Sequence, residues 1–508
     1  MAQTDLPQSY RPLSLADGIR SSMQRDPGKI AMSDPTSRRT YAQLVERMDL
    51  ISSALISGLA LGQSDHIAIV ALNCVEYIEL IAGASQVGVA VATVNPRLTT
   101  AEIQLICDDA HARVLFVDAA NEEQVRDCSF AHIDEIIVFG EHFDAWLTNA
   151  KPMIEAPRVD EWLPFTIPYT SGTTGKPKGV LVSSRSRMLT CYGMAVEYGC
   201  YSPDDRFLAV APLCHGAGMV FPLATIFFGG YAQIMPKFEP EKLLAQLASD
   251  KITGVFMVPT HFHQLFALEK SYLDLHRPQH LKTIISNAAP LPQATKERII
   301  SYFGDGLLHE TYGSTEAGIV TNLRPNDQMR KRSCVGLPFT STSVSIRNEQ
   351  GQECTANEVG ELFSQSPYLF NGYWRRDGET QEAFANGWVT VGDLARRDEE
   401  GFIYIVDRKK DMIISGGVNI YPREIENVLV EHPALVEVAI TGVPDLQWGE
   451  RLKAWVVTAP GAHITVEDIK TFCQDRLASY KIPRELEQIS ALPRNASGKV
   501  LKIQLREI

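Results

Sequence analysis

Apolar positions along the first 140 residues alternate between the spacing of helices and the spacing of strands. A helix is predicted over 41–61, where four apolar residues share one face: Leu44, Met48, Ile51 and Leu55. A second helix is predicted over 75–87, and the pair Thr99 and Glu102 forms a capping box that opens a third. Strands are predicted at 66–72, 89–94, 113–117 and 135–138. This alternation favours a mostly parallel sheet with helices on both of its faces.

The pattern continues past residue 160. Apolar runs at 163–167 and 180–182 predict a hairpin, followed by a helix at 185–198 and strands at 206–210 and 281–286. Beyond residue 410 the chain predicts a small α+β domain, with strands at 436–443 and 452–457. A capping box at Thr465 and Asp468 opens a helix that is predicted to continue to about residue 478.

The turn of the predicted hairpin, residues 169–179, reads YTSGTTGKPKG. Hydroxyl groups donate to phosphate oxygens, glycines let backbone N–H groups approach, and lysines supply positive charge. The candidate phosphate ligands are Thr170, Ser171, Gly172, Thr173, Thr174, Gly175, Lys176 and Lys178. The loop lacks the Walker spacing, and the alternative is a flexible surface turn of ordinary loop residues.

Composition narrows the class of protein. With 508 residues the chain is expected to form two to four domains, and 45% apolar with 21% charged residues is typical of a soluble globular protein. A net charge of −13 argues against a nucleic-acid partner. Nine cysteines without a C-x-x-C pair indicate reduced thiols and a cytoplasmic location, and the first residues do not resemble a signal peptide. Residues 216–235 carry no charge, and with Pro222 and four glycines they predict a buried helix and a strand rather than a membrane span.

Two further segments carry candidate nucleotide ligands. In the segment HETYGSTE, residues 309–316, a tyrosine can stack on adenine, Thr315 can reach a phosphate, and Glu316 can hold Mg²⁺. Asp393, at the end of a predicted strand, can accept both ribose hydroxyls. The alternatives are a glycine-punctuated turn for the first segment and a structural turn aspartate for the second.

Histidines near apolar segments allow other interpretations. His215 lies in APLCHGAG, where a lone histidine is more often a core residue or helix cap than a functional group. His261 and His263 have the spacing of metal ligands but lack a carboxylate or cysteine partner, so helix packing is favoured.

Taken in order, these motifs resemble the adenylate-forming acyl-activating superfamily of acyl-CoA synthetases, peptide-synthetase adenylation domains and beetle luciferases. The resemblance spans Ser14 to Glu507. It implies an α/β fold with a large N-terminal domain of mostly parallel sheets and a β-barrel-like part, residues 1–409. A small mobile α+β domain, residues 410–508, would follow.

The resemblance also implies roles for individual residues. The ATP site would comprise the phosphate loop and a second set: Ala288, Glu310, Thr311, Tyr312, Gly313, Thr315, Asp393, Arg408 and Lys499. The acyl pocket would be lined by His215, Asn287, Ala288, Ala289 and Gly313. Glu316 would hold Mg²⁺, Lys410 would be the hinge, and Gly416 and Gly417 would admit coenzyme A (CoA). Ala288 and Ala289 stand where the family commonly has glycine, which leaves the pocket depth undetermined.

The implied activity is an acyl-CoA synthetase that activates an aryl or medium-chain carboxylic acid with ATP and Mg²⁺ and passes the acyl group to CoA. Lys499 would be the catalytic cation that bridges the acid and the α-phosphate. Transfer to a carrier-protein phosphopantetheine, a luciferase-like oxygenase and a non-catalytic nucleotide sensor remain alternatives. The sequence does not name the acid, and it leaves open whether the chain forms a homodimer.

Overall fold

A computed structural model describes residues 9–153, 155–171, 177–494 and 500–507, with backbone alone for Ser171 and Glu507. The chain forms two compact units. Unit 1 comprises Met1–Ser343 and Ser364–Val389, and unit 2 comprises Val344–Phe363 and Thr390–Ile508. Each unit is described separately below.

Unit 1 contains thirteen of the described α-helices and most of the strands. The helices are α1 (Leu15–Arg25), α2 (Tyr41–Ser53), α3 (Val75–Gln86), α4 (Thr100–Asp109), α5 (Glu122–Arg126), α6 (Glu141–Thr148), α7 (Ser184–Tyr198), α8 (Gly216–Phe227), α9 (Pro240–Ser249), α10 (Pro259–Phe266), α11 (Lys270–Leu275), α12 (Gln293–Phe303) and α13 (Asp377–Ala383). The strands up to residue 338 are β1 (Ile30–Ser33), β2 (Arg38–Thr40), β3 (His66–Val70), β4 (Ala90–Val94), β5 (Val114–Val117), β6 (Glu135–Val138), β7 (Pro164–Ser171), β8 (Pro177–Ser183), β9 (Arg206–Ala209), β10 (Tyr231–Ile234), β11 (Gly254–Met257), β12 (Thr283–Ser286), β13 (Leu308–Ser314), β14 (Gly318–Leu323) and β15 (Leu337–Pro338).

The remaining strands lie on both sides of the division between the units, which falls inside β16 and again inside β17. They are β16 (Ser343–Arg347), β17 (Gly360–Gln365), β18 (Gly372–Tyr373), β19 (Phe384–Ala385), β20 (Trp388–Val389), β21 (Asp393–Arg397), β22 (Ile403–Arg408), β23 (Ile413–Ser415), β24 (Val418–Ile420), β25 (Leu435–Asp445), β26 (Gly449–Thr458) and β27 (Glu485–Gln488). The remaining helices are α14 (Pro422–Leu429), α15 (Val466–Cys473) and α16 (Lys502–Glu507).

Two large sheets form the framework of unit 1. The first has nine strands in the order β15-β14-β13-β12-β11-β9-β10-β1-β2, and the second has seven in the order β18-β8-β7-β4-β3-β5-β6. The strands from β13 to β1 in the first sheet pair in parallel, as do β7, β4, β3, β5 and β6 in the second. The predicted parallel α/β architecture is therefore confirmed.

Alternating side chains of each sheet enter different hydrophobic cores. Ile67 and Ile69 of β3 join the largest core cluster, whereas Ala68 and Val70 face a second cluster with α4. Alternate residues of the first sheet separate in the same way, and the largest cluster also holds buried faces of α1, α2, α3, α7 and α8. Helices thus pack on both faces of each sheet, because central strands such as β3, β4 and β11 are apolar on both sides.

Unit 2 contains a five-stranded sheet in the order β24-β23-β26-β25, with β27 pairing with β26. Helices α14 and α15 pack on it through a separate core that includes Ile425, Leu429 and Ile469. Within the same unit, β21 pairs with β22 in antiparallel orientation.

Local sequence patterns located most elements within a few residues. The capping boxes at Thr99 and Thr465 are both formed. The last helix prediction was wrong in length, because α15 ends at Cys473 rather than near 478. Gln474 leaves the helical region, with ψ of 136°, and Asp475 has a φ of +67°. This turn lets Leu477 pack against the unit 2 core.

Candidate active site

The carboxyl ends of four neighbouring parallel strands meet at one edge of the first sheet. β9, β11, β12 and β13 lie side by side. His215 follows β9, residues 287–289 follow β12, and Thr315 and Glu316 follow β13. Ligands of parallel α/β proteins bind at this edge, where loops and helix starts converge. The fold therefore gathers the predicted acyl-side and nucleotide-side residues of unit 1 at one edge.

The second sheet adds the phosphate hairpin to the same region. β4 and β7 are parallel, so Asn95, after β4, and Thr170, near the end of β7, share an edge. The Thr93 hydroxyl donates to the Cys214 carbonyl at 2.9 Å, and the Asn95 amide nitrogen lies 3.5 Å from Nε2 of His215. These contacts join the carboxyl edge of the second sheet to the loop that carries His215.

The hairpin β7–β8 presents the predicted phosphate loop. Thr170 pairs with Lys178 across the hairpin. The Tyr169 hydroxyl donates to the Asp109 carboxylate at 2.8 Å, and burial raises the pKa of this tyrosine well above its usual value. The predicted ligands Gly172, Thr173, Thr174, Gly175 and Lys176, and the side chain of Ser171, lie outside the described residues.

Lys178 and Glu316 are linked through Tyr373, which sequence reasoning did not identify. The Tyr373 hydroxyl donates to Oε1 of Glu316 at 2.9 Å, and the Lys178 ammonium lies 5.2 Å from the centre of the same ring. Lys178 also forms an ion pair with Glu379 of α13. The chain Glu316–Tyr373–Lys178 thus connects the loop after β13 to the phosphate hairpin.

Glu316 fits the role of a Mg²⁺ ligand. Its side chain is buried, with 8% of the residue exposed, and Oε2 forms no hydrogen bond within the part of the chain that is described. The described residues contain no group of three or more metal-binding side chains. Mg²⁺ bound to a nucleotide needs only one or two carboxylates, because phosphate and water oxygens complete its octahedron. Glu316 suits this kind of Mg²⁺ binding, because Tyr373 fixes Oε1 of its carboxylate and Oε2 has no described hydrogen-bond partner.

The carboxylate of Glu310, which is predicted to bind ATP, already contacts another side chain of unit 1. It forms an ion pair with Lys296 of α12, and both side chains are almost completely buried. Oε1 of Glu310 also accepts the backbone N–H of Leu291 at 3.3 Å. The pair ties α12 and the loop after β12 to β13, so its evident effect is to fix the segment that leads into the site.

The loop after β12 contains a strained residue. Ala288 has a φ of +75°, in the left-handed region that favours glycine. Its N–H is within 2.5 Å of the Asn287 side-chain oxygen, and both Ala288 and Ala289 are exposed. The glycine that the family commonly has at this position would adopt this backbone without strain.

The second half of β13 and the turn that joins it to β14 hold the rest of the predicted adenine and phosphate ligands. Thr311 is buried, whereas Tyr312, Gly313 and Thr315 are half-buried. A Cβ on Gly313 would collide with the carbonyl of Gly318 across the hairpin. Only glycine fits there, so β13 and β14 approach closely just before the turn that carries Thr315 and Glu316.

Burial and a nearby positive charge both affect the pKa of His215. Burial lowers the pKa of His215, and the nearby Arg97 lowers it further. The same two causes lower the pKa of His261 to about 4. His261 stacks on Phe238 at 4.1 Å, which supports the helix-packing interpretation of that histidine. Both imidazoles are neutral at pH 7.

In unit 2, the two predicted ribose-side residues contact each other. Asp393 and Arg408 are paired across β21 and β22, with 3.0 Å between Nε of Arg408 and a carboxylate oxygen of Asp393. Asp393 is buried and Arg408 is partly exposed. The guanidinium therefore holds the orientation of the carboxylate that is predicted to bind ribose.

The predicted hinge and CoA residues also lie in unit 2. Lys410 is exposed, and Gly416 and Gly417 form the two-residue turn between β23 and β24. Their φ values of +61° and +77° match a type I′ hairpin turn, which requires φ above zero at both positions. The predicted catalytic Lys499 lies outside the described residues.

Comparison with known proteins identifies the same class. The family model described as AMP-binding enzyme matches residues 19–374, and the model for the AMP-binding enzyme C-terminal domain matches 424–499. A 2-succinylbenzoate–CoA ligase from Bacillus mycoides is 31% identical over 487 residues, which cover 95% of this chain and 96% of that protein. A feruloyl-CoA synthase from an Amycolatopsis species is 34% identical over 474 residues, with 92% and 93% covered.

Solved structures agree with this match. An o-succinylbenzoate CoA synthetase from Bacillus subtilis, in complex with its acyl-adenylate intermediate, superimposes with a TM-score of 0.85 at 28% identity, covering 96% of this chain and 97% of that one. ATP-bound MatB from Rhodopseudomonas palustris gives a TM-score of 0.87 at 28% identity, with 97% and 98% covered.

The fold and the site define an adenylate-forming, acyl-activating enzyme. The chain belongs to the AMP-binding enzyme family. The class predicted from the motifs, an AMP-forming acid–thiol ligase that uses ATP, Mg²⁺ and CoA, is thereby confirmed. Within the described ranges, no helix is long and apolar enough to cross a bilayer. The uncharged stretch 216–235 forms α8 and β10, as predicted.

Proposed function

We propose that the chain activates an aromatic carboxylic acid as its acyl-adenylate and transfers the acyl group to CoA, with the residue roles given below. The observation that carries this proposal is the linked set Glu316, Tyr373 and Lys178, which joins the candidate metal ligand to the phosphate hairpin. The aromatic acid is supported by the 2-succinylbenzoate and feruloyl relatives and by the half-buried His215 beside the predicted pocket.

In the first half-reaction, a carboxylate oxygen of the acid attacks the α-phosphorus of ATP. A new oxygen–phosphorus bond forms, the bond to the β-phosphate oxygen breaks, and pyrophosphate leaves with that electron pair. Lys499 neutralises both anions as they approach, and residues 170–178 bind the departing pyrophosphate. Asp393, held by Arg408, accepts the ribose hydroxyls.

Glu316 is the residue that would hold Mg²⁺, and the Tyr373 hydroxyl orients its carboxylate. The bound ion supplies positive charge that offsets the triphosphate. Hydrogen bonds from a neighbouring residue to a ligating carboxylate are a general feature of metal sites, which supports Tyr373 in this role.

In the second half-reaction, the thiolate sulfur of CoA attacks the acyl carbon, and AMP leaves with the electron pair of the broken carbon–oxygen bond. We place the boundary between the two functional domains at 409/410, with Lys410 as the hinge that withdraws Lys499. The turn at Gly416 and Gly417 then lines the path of the pantetheine arm, since glycines allow close approach to backbone. Lys410→Pro is expected to block thioester formation while sparing adenylation.

His215 has no acid–base task in this scheme. Neither half-reaction needs a general acid or base, and burial together with Arg97 keeps its imidazole uncharged at neutral pH. We assign it to the wall of the acyl pocket, together with Asn287, Ala288, Ala289 and Gly313.

The test is pyrophosphate release from ATP with a panel of carboxylic acids, followed by addition of CoA and detection of the thioester. Acid-dependent pyrophosphate release followed by CoA thioester is the expected result. Adenylation without transfer to free CoA would favour a carrier-protein acceptor instead. A nucleotide sensor would release no pyrophosphate with any acid of the panel, and light emission would indicate a luciferase-like oxygenase.

Two further assignments complete the proposal. A cytoplasmic location is supported by the nine cysteines, all of which are free thiols in the structure. A homodimer stays a prediction, to be checked by light scattering.

A further inference from the structure

One arginine of unit 1 is buried without a counter-ion among the described residues. Arg187 lies near the start of α7, and only 8% of its surface is exposed. Its Nε has no hydrogen-bond partner there, and no described carboxylate pairs with its guanidinium. Burial lowers the pKa of Arg187, and the only other described group that acts on it is the Cys191 thiol. An arginine nevertheless stays protonated, so unit 1 maintains a buried positive charge at a cost of stability.

The guanidinium lies beside the predicted acyl pocket. Its Nη2 is 3.7 Å from the point where a Cβ on Gly216 would stand. Gly216 is the first residue of α8, a helix of twelve residues that follows directly on His215. No side chain caps this end, and the backbone N–H groups of residues 216–218 have no partner among the described residues. The Arg187 guanidinium and these free N–H donors thus lie together at the start of α8.

No described carboxylate acts on the pKa values of the ionisable groups around this end of α8. Within the part of the chain that the structure covers, Arg97 is the only charged group that acts on the pKa of His215, and the same is true of His261. The Cys214 thiol is likewise affected by Arg97 and by no described carboxylate. The buried guanidinium of Arg187 therefore has no described counter-ion and is suited to bind an anion from outside the chain.

The position of Arg187 argues against the nucleotide phosphates as that anion. Lys178, at the phosphate hairpin, and Ser183, which caps α7, are five residues apart along β8, a distance of about 17 Å in an extended strand. Arg187 thus follows the end of β8 that lies away from the phosphate loop. The reacting carboxylate must lie at the α-phosphate, so the anion at Arg187 is a different group of the substrate.

We infer that Arg187 binds a second carboxylate of the acid substrate, so that the preferred substrates are dicarboxylic acids with one free and one activated carboxylate. This inference rests on the proposed function and specifies its substrate class. A guanidinium matches a carboxylate with two parallel hydrogen bonds, which gives direction as well as charge complementarity. The free N–H groups of α8 add donors on the same side.

The experiment compares two acids that differ only in the second carboxylate: 2-succinylbenzoate and 4-oxo-4-phenylbutanoate. Pyrophosphate release is measured for the unaltered protein, for Arg187→Met and for Arg187→Lys. The unaltered protein is expected to prefer the diacid. Arg187→Met should lower kcat/KM for the diacid by about 10- to 100-fold, mainly through KM, and change that for the monoacid by less than about threefold. Arg187→Lys should give an intermediate loss of kcat/KM for the diacid, because lysine keeps the positive charge but cannot donate two parallel hydrogen bonds to one carboxylate.

Arg185→Met is the matched control. Arg185 lies on the same helix, but it is partly exposed and pairs with Glu161 at 2.7 Å, so its loss should affect both acids equally. The melting temperature supplies a readout that separates binding from structure. Replacing an unpaired buried charge by an apolar side chain should leave it unchanged or raise it.

Equal losses with both acids, or a raised KM for ATP or CoA with both, would overturn the inference, because Arg187 would then act on structure or on a phosphate. A preference of the unaltered protein for the monoacid would also overturn it. If neither acid nor any other carboxylate releases pyrophosphate, the proposed function itself fails, which is a distinct outcome. If Arg187→Met does not fold, the Arg187→Lys comparison decides.

Discussion

Removing the Tyr373 hydroxyl is the sharpest test of how the candidate metal ligand is held. Tyr373→Phe deletes the hydrogen bond to Oε1 of Glu316, 2.9 Å long, and keeps the ring beside the Lys178 ammonium. Glu316 is 8% exposed, so little water is available to replace the lost donor. Loss of such a supporting contact typically weakens metal binding or activity by about 10- to 100-fold, or roughly 1.4–2.7 kcal/mol.

The assay is the initial rate of pyrophosphate release as Mg²⁺ is varied at fixed ATP and acid. We expect the half-saturating Mg²⁺ concentration to rise by about 10- to 100-fold, with a smaller change in the rate at saturating Mg²⁺. Thermal unfolding should change little, because the ring and its packing remain.

Tyr404→Phe is the control for this change. Its hydroxyl also donates to a carboxylate, Asp398, at 3.1 Å, but within unit 2 and on different strands from the predicted metal ligand. Its Mg²⁺ dependence should match that of the unaltered protein. Superimposable Mg²⁺ titrations for Tyr373→Phe and the unaltered protein would refute the assignment of Tyr373 and, with it, the geometry proposed for Glu316.

Three other consequences follow from buried or strained groups. Lys296→Met removes the buried cation that is ion-paired with Glu310, so urea unfolding should show a loss of about 3–5 kcal/mol. The exposed, ion-paired Lys242→Met should cost less than about 1 kcal/mol, and similar losses for the two variants would contradict the role of burial. Burial lowers the pKa of His309 to about 4, and because the unfolded chain takes up this proton near pH 6.5, stability should fall by up to about 3 kcal/mol as pH drops from 6.5 to 4. His309→Gln should flatten this slope, and an unchanged slope would count against it. Gly416→Ala places a Cβ 2.7 Å from the Trp448 ring at a residue with positive φ, so it should destabilise unit 2 by about 2 kcal/mol or more. Gly417→Ala has open space around its Cβ and should cost only the backbone strain of about 1 kcal/mol. Equal melting temperatures for the two variants would argue against the close approach of Trp448 to Gly416.

Patterns that are local in sequence predicted the elements that carry the site. The hairpin β7–β8 follows from two apolar runs around a glycine-rich turn, and the capping boxes at Thr99 and Thr465 follow from side chains three residues apart. Such signals need no knowledge of distant residues, because the contact that stabilises them lies within one turn. The predicted end of α15 was wrong because it depends on a tertiary contact: the chain leaves the helix after Cys473, and Leu477 packs against the unit 2 core.

Contacts between distant residues were not predictable from one sequence. Tyr373 meets Glu316 across 57 positions, and no residue pattern around Tyr373 marks it as a neighbour of a metal ligand. Lys296 reads as a surface residue of an amphipathic helix, yet it is buried against Glu310. Arg187 is equally inconspicuous in the sequence. Its significance depends on the lack of a carboxylate partner among the described residues around it, which only the fold reveals.

The central claim is that one lysine brings two anions together in the first half-reaction and is dispensable in the second. The direct measurement is a comparison of both half-reactions in Lys499→Ala, with acyl-adenylate formed from acid and ATP in one case and supplied ready-made with CoA in the other. The account predicts that adenylate formation falls by several orders of magnitude while thioester formation from supplied acyl-adenylate is largely retained. Equal loss of both half-reactions, or adenylate formation at the unaltered rate, would contradict it.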